Sequence, residues 1–398
     1  MLIYIYKVQS LIKNSKKISR KLINVAFPTR TKKENFDKIV FDKALLVNLT
    51  SNDYLGLSKN VKLIESSQNW TGKWGTGLSS SRLVSGNLEQ IKDIEKKISL
   101  LVKKSRTLIM GSGFQTNATI IPTIIDNYLG SKKKAYIFSD KLNHASINLG
   151  CSISKQKTFR YRHLDLNHLE FFLKKTNLDN TKLIISETLF SMDGDCADIE
   201  SLRFLAKRYN CILYLDEAHA MGVYGKNGFG ISSNKQNANE IIVGTFSKGF
   251  GSFGSFVSCS KMMYDKIVNY CGGIIYTTVL PPSVLGSISA AVKIVPQKTN
   301  LRNKLLTNSK FLINGLKNLS INVGDSNSHI IPIILKSKND CEKLRDFLKK
   351  ENFFTKVVSS PTVPLGTDRI RISLTATISK KVIYKLLELI KQFKDHEV

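Results

Sequence analysis

Between residues 107 and 258, short apolar runs alternate with segments of helix length, and no other feature of the chain restricts its fold as strongly. The runs fall at 107–110, 134–138, 183–186, 211–215, 241–245 and 256–258. Each is apolar along its length rather than at alternate residues, the pattern of a strand buried on both faces. Parallel neighbours need crossovers of helix length, whereas antiparallel ones can be joined by a tight turn. The pattern predicts an α/β fold, with a mainly parallel central sheet and helices on both faces.

Upstream, 44–49 reads as a strand entering the turn-rich segment Ser51-Asn52-Asp53-Tyr54-Leu55-Gly56-Leu57. A Gly/Ser cluster at 72–86 precedes a helical pattern over 88–101, with Ile91, Ile94 and Ile98 on one face. The character changes near Pro281 and Pro282, where a helix over 304–316, strands at 329–335 and 369–374 and a helix over 340–349 predict a smaller α+β unit. The expected organisation is an N-terminal arm at 1–45, a large α/β domain at 46–285 and a small C-terminal α+β domain at 286–398.

The formal net charge of +29 is unusual for such a chain. Lysine is spread along its whole length with no zinc-finger or RNA-binding signature, so the charge reads as solvated lysine faces rather than a specific nucleic-acid site. Residues 1–33 contain no acidic residue. In charge they are similar to a transit peptide, but they favour Lys over Arg. The expectation is an amphipathic helix with Val8, Leu11, Ile12, Ile18 and Leu22 as its apolar side. No apolar run approaches the roughly 20 residues of a membrane span. The six cysteines form no CxxC pair, which predicts free thiols in a reducing compartment, a cytoplasmic location and no metal site.

The chemistry-bearing residues follow the apolar runs. Tyr214-Leu215-Asp216-Glu217-Ala218-His219 places a carboxylate where ligands bind in open α/β sheets. A buried Asp needs a cationic partner, such as a protonated ring nitrogen, although an Asp that caps the next helix fits the same letters. Thr245-Phe246-Ser247-Lys248-Gly249 puts a lysine among small residues after the next run. Desolvation lowers a lysine pKa and suits it to Schiff-base chemistry, while hydroxyls at Thr245 and Ser247 suit phosphate. Gly111-Ser112-Gly113-Phe114 opens a helix whose N–H groups can receive a phosphate, or it is an ordinary turn. His144, in Asp140-Lys141-Leu142-Asn143-His144, can stack on a ring and donate to a carbonyl, or serve the core.

As an ordered set, SNDYLGL, GSGF, DKLNHAS, ETLFSMDGD, LDEAHAMGVYG, TFSKGFG, IYTTVLPPS and PTVPLGTDRIRISLTA resemble the α-oxoamine synthases, fold-type I pyridoxal-phosphate enzymes, from about residue 45 to about residue 390. The resemblance implies pyridoxal 5'-phosphate held as a Schiff base on Lys248, with Asp216 on its ring nitrogen and His219 on its phenolic oxygen. It implies that His144 stacks on the ring, that Gly113, Phe114 and Thr245 serve the phosphate, and that Ser191 lies beside the cofactor. Arg371 would clamp an amino-acid carboxylate with Asn52 nearby, and Thr362 would touch substrate. A homodimer with shared sites is implied, in which Thr277 or Thr278 reaches the neighbour's phosphate.

SNDYLGL, FSMDGD, TFSKGFG and PTVPLGT are most similar to the family member that condenses L-alanine with a pimeloyl thioester, on coenzyme A or an acyl-carrier protein, in biotin biosynthesis. Relatives that use glycine with an acetyl or succinyl thioester, and a long-chain acyl relative, remain open. So does a basic binding protein built on a retired enzyme scaffold. The chain departs from the family pattern at Ile91 and Thr377, where histidines are common, and at Ile23, Asn24, Val25 and Ala26, which replace an Arg-rich acyl-recognition stretch.

Overall fold

The structure is a computed structural model and describes residues 22–29, 36–126, 134–234 and 239–396. Most of the expected N-terminal helix therefore lies outside the described residues. Leu22, from its expected apolar side, sits in irregular chain and is exposed.

A hairpin of β1 (Lys38–Phe41) and β2 (Ala44–Asn48) leads through SNDYLGL into α1 (Val61–Trp74) and α2 (Glu89–Val102). The central sheet then forms from β3 (Arg106–Met110), β4 (Ala135–Asp140), β5 (Lys157–Tyr161), β6 (Thr181–Glu187), β7 (Ile212–Asp216), β8 (Glu240–Thr245) and β9 (Ser255–Cys259). Its seven strands lie in the order β3-β9-β8-β7-β6-β4-β5. Only β9 runs against its neighbours; the other pairs are parallel. The apolar runs predicted six of these strands. They missed β5 because that edge strand reads Lys-Thr-Phe-Arg-Tyr, with charges at its first and fourth positions and one fully buried residue.

Both faces of the sheet are covered, and successive strand residues show why. Leu183, Ile185 and Tyr214 point to one side, where α3 (Gly113–Ile125), α4 (Ala145–Ile153) and α7 (Lys261–Tyr270) close a core. Ile184, Leu213 and Leu215 point to the other, against α5 (Leu166–Leu173) and α6 (Ile199–Arg208). That two-sided burial is the reason the runs are continuous rather than alternating.

After the short helix α8 (Gly272–Ile275), α9 (Pro282–Ile294) packs along α1 and passes without a break through the expected boundary at 285/286. The C-terminal unit comprises α10 (Thr299–Asn318), β10 (Ile330–Ile334), α11 (Lys338–Lys350), the two-residue strands β11 (Phe353–Phe354) and β12 (Val357–Val358), β13 (Arg369–Ser373) and α12 (Lys380–His396). β10, β13 and β12 form one sheet, and β11 joins β1 and β2 in another. Val47 and Asn48 thus pair with the C-terminal unit although the sequence places them with the large domain. No helix among the described residues is long and apolar enough to cross a membrane.

Candidate active site

The segments after β4, β6, β7 and β8 converge at the carboxyl end of the sheet around a cavity of about 230 Å³. Lys248 enters it from a turn whose flanking rings, Phe246 and Phe250, are fully buried with centroids 5.6 Å apart. Those two anchors fix the turn and send the intervening lysine towards the cavity. Burial lowers the Lys248 ammonium to about 8, against the opposing pull of Asp216 and Glu187.

His219 lies between Lys248 and a tyrosine. Its Nε2 is 2.8 Å from Lys248 Nζ, and its Nδ1 is 2.6 Å from the Tyr54 hydroxyl. Burial first, then the cations of Lys248 and Arg371, holds His219 well below the usual imidazole range. It is a neutral ring, with one nitrogen donating and the other accepting. Tyr54, itself fully buried, also lies 3.2 Å from Asn52 Oδ1.

Asp216 terminates β7 and is held at both oxygens. Oδ1 accepts from the Ala218 N–H at 2.9 Å, and Oδ2 accepts from Asn117 Nδ2 at 2.7 Å. Asn117 is oriented in turn by the Tyr214 hydroxyl, which donates to its Oδ1 at 2.7 Å. A second carboxyl, Glu187, lines the cavity and accepts the His144 backbone N–H at 2.6 Å. Burial, reinforced by Asp216, pushes Glu187 well above the usual carboxylate range. His144 caps α4, with Nδ1 2.7 Å from the Ser146 hydroxyl, and burial lowers its pKa.

At the opposite lining, the N-terminus of α3 presents Gly113 and Phe114, and Ser112 caps it by accepting the Gln115 N–H at 3.2 Å. Thr245 and Ser247 add hydroxyls 2.6 Å apart. Nothing lies within 4 Å of where a Gly113 Cβ would stand, so the backbone there is open to a bound group. An amine with a lowered pKa, a carboxylate fixed at both oxygens and an anion-receiving helix end around one cavity fit pyridoxal 5'-phosphate in donor type at each end.

Arg371 comes from β13. Its Nε donates to the Ser191 carbonyl at 2.5 Å, and its two terminal nitrogens lie 3.4 Å from Asn52 Oδ1. Ser191 and Asn52 are therefore gathered with Arg371. Thr362 is not: it lies on an exposed loop, where its N–H donates to the Ser359 carbonyl. Thr277 and Thr278 line a separate cavity with Arg82 and Ile91, apart from Lys248 within one chain. Tyr54 and Glu187 fall within SNDYLGL and ETLFSMDGD, and Asn117 lies three residues past GSGF, but no letter pattern marks them as site residues. Only the fold shows that each holds another polar side chain or N–H in place.

The family model for aminotransferase class I and II matches residues 45–390, and with this sheet and this site it defines a pyridoxal-phosphate-dependent transferase of fold-type I. A protein of Gluconacetobacter diazotrophicus named 8-amino-7-oxononanoate synthase is 38% identical over 348 residues, 87% of either chain. One of Paramagnetospirillum magneticum that carries the same name provisionally is 41% identical over 343 residues, 86% of this chain and 87% of that one. The crystal structure of 8-amino-7-oxononanoate synthase from Francisella tularensis superposes with a TM-score of 0.76 at 27% identity, covering 88% of this chain and 98% of that one. Serine palmitoyltransferase from S. paucimobilis shares the fold with a TM-score of 0.86 at 23% identity, covering 99% and 97%. The chain belongs to the α-oxoamine synthases.

Proposed function

We propose that the protein condenses L-alanine with a pimeloyl thioester, on coenzyme A or an acyl-carrier protein, to give 8-amino-7-oxononanoate, carbon dioxide and free thiol in biotin biosynthesis. The observation that carries this reading is the convergence of Lys248, Asp216, His219 and His144 on one cavity with Arg371 nearby, in a chain whose relatives bear that enzyme's name.

Pyridoxal 5'-phosphate, held at Lys248, supplies the electron sink that makes the alanine Cα acidic. Arg371 receives the alanine carboxylate through its terminal nitrogens while the Ser191 carbonyl fixes its Nε; a lysine could not present that planar fork. Lys248, whose pKa of about 8 leaves a useful share of free amine near neutrality, removes the Cα proton. Asp216, kept in place by Asn117 and the Ala218 N–H, would hold the positive charge of the ring nitrogen. The Cα then bonds to the thioester carbonyl carbon and the thiolate departs. His144, anchored through Nδ1 by Ser146, donates from Nε2 to the oxygen that gains charge. Loss of carbon dioxide and return of a proton complete the product. The working form is a cytoplasmic homodimer, with Thr277 or Thr278 reaching the neighbour's cofactor phosphate.

A visible absorbance scan of purified protein, followed by thiol release from a panel of thioesters, tests the reading. L-alanine is expected to perturb the cofactor band, and pimeloyl thioesters alone to release thiol with it. Turnover only with glycine and an acetyl or succinyl thioester would sink the assignment.

A further inference from the structure

The tyrosine of the turn-rich segment has one hydroxyl proton and two acceptors within reach. Tyr54 is fully buried, 2.6 Å from His219 Nδ1 and 3.2 Å from Asn52 Oδ1. Arg371 has only donors, so it fixes the Asn52 oxygen as an acceptor. Both terminal guanidinium nitrogens approach that oxygen at 3.4 Å, and the Ser373 hydroxyl does so at 3.5 Å. With its lone pairs already addressed, Asn52 is the poorer acceptor, and the Tyr54 proton belongs on the shorter contact to His219. Neutral His219 then carries its own proton on Nε2, 2.8 Å from Lys248 Nζ.

We propose that Tyr54 is a positioning residue that reports occupancy of the Arg371 carboxylate site to His219 and Lys248. A carboxylate that takes the terminal nitrogens of Arg371 removes two donors from Asn52. Asn52 Oδ1 then competes for the Tyr54 proton, the hydrogen bond to His219 Nδ1 weakens, and Nε2–H becomes a poorer donor towards the Lys248 end. No proton leaves the chain of groups; only the strength of successive hydrogen bonds changes. The charged and titratable groups that face this pair are Asp216, Glu187 and Arg371 around Lys248, with His329 and His144 also facing His219. His329 packs edge-on against Tyr54 with centroids 4.0 Å apart, and burial keeps it neutral, at about 3.

This inference rests on the reading of Lys248 as the cofactor lysine and Arg371 as the carboxylate clamp. The test uses holoenzyme and propionate, which has the carboxylate of L-alanine and lacks its amine. Propionate is expected to raise the pKa read from the visible band. By reciprocity, its own dissociation constant changes about fivefold or more across that titration. In Tyr54→Phe the band remains, propionate still binds, and at least half of that shift is lost. Asn52→Ala, measured at saturating propionate, loses it too with Tyr54 intact, so a misfolded Tyr54 variant does not end the test. Equal shifts in the parent and both variants would overturn the relay, leaving only direct charge interaction through space. So would a parent that propionate does not perturb. A visible band that persists in Lys248→Ala would instead refute the underlying site reading.

Discussion

Glu187 and Asp216 are register partners at the carboxyl ends of β6 and β7, two buried carboxyl groups lining one cavity. Asp216 is fixed by donors at both oxygens, whereas Glu187 is pushed well above the usual range by burial and then by Asp216. Neighbouring buried carboxylates resist ionising together, and here Glu187 is the one held towards its protonated form. Glu187 holds the His144 N–H, and Asp216 faces the cavity.

A folded-state pKa raised above the unfolded value means that the native state binds the extra proton. Stability is then lost as pH rises from about 4.5 towards the folded value. Glu187→Gln keeps the acceptor for the His144 N–H and removes that loss. Its melting temperature is expected to exceed the parent's at neutral pH and to converge with it in acid. Melting curves from pH 4 to pH 8 check this, and a Gln variant less stable at neutral pH would refute a neutral Glu187.

Asn117 donates to a carboxylate, and Tyr214 donates to Asn117. A hydrogen bond to a charged group contributes about 1.5–3 kcal/mol and a neutral one about 1 kcal/mol. Asn117→Ala is therefore expected to weaken cofactor binding about tenfold to a hundredfold, and Tyr214→Phe about fivefold. Fluorescence titration of apoenzyme with pyridoxal 5'-phosphate measures both. The order of the two effects is the point at issue, because Tyr214 acts only through Asn117.

On the proposed reading, Lys248 would have to shed its proton before its amine could attack the cofactor aldehyde. With a pKa of about 8, the free amine grows as pH rises through 8 and then levels off; an ordinary lysine would keep rising to about 10.4. The rate of cofactor recapture by apoenzyme is expected to be half-maximal near pH 8. Continued increase above pH 10 would show that burial does not lower this group.

The central sheet was legible because two-sided burial leaves a run of apolar letters, as at 211–215 and 241–245. Edge strand β5, buried at one residue, leaves no such run. Lys248 and Asp216 were legible as residues that follow strands, since the sheet delivers every such residue to one end. Tyr54 was not. Its partner His219 is 165 residues away, and nothing in a Tyr after Asn-Asp distinguishes a network hydroxyl from a core ring. The meeting of β2 with β11 was hidden for the same reason: a two-residue strand carries no period.

His163 joins two segments that border the site. Its Nδ1 is 2.9 Å from Asp140, at the end of β4 before His144, and its Nε2 is 2.9 Å from Asp195, just past Ser191. Burial works against its charge, but hydrogen bonds to both carboxylates outweigh that effect and raise it to about 10. A histidine raised from 6.5 to about 10 contributes stability that is complete below pH 6.5 and lost as pH rises through 10. His163→Gln can keep only one donor in place and carries no charge. The stability difference between parent and variant is expected to be flat below pH 6 and to shrink steadily towards pH 10. Asp140 then keeps the Leu142 and Leu164 N–H groups but loses its cationic partner. On the proposed reaction, the segment carrying His144 loosens, and the thioester KM is expected to rise more than the apparent affinity for L-alanine falls. Denaturant midpoints across pH, paired with steady-state kinetics, separate the two effects. A difference in midpoint that stays constant to pH 10 would show that His163 is not charged in the fold.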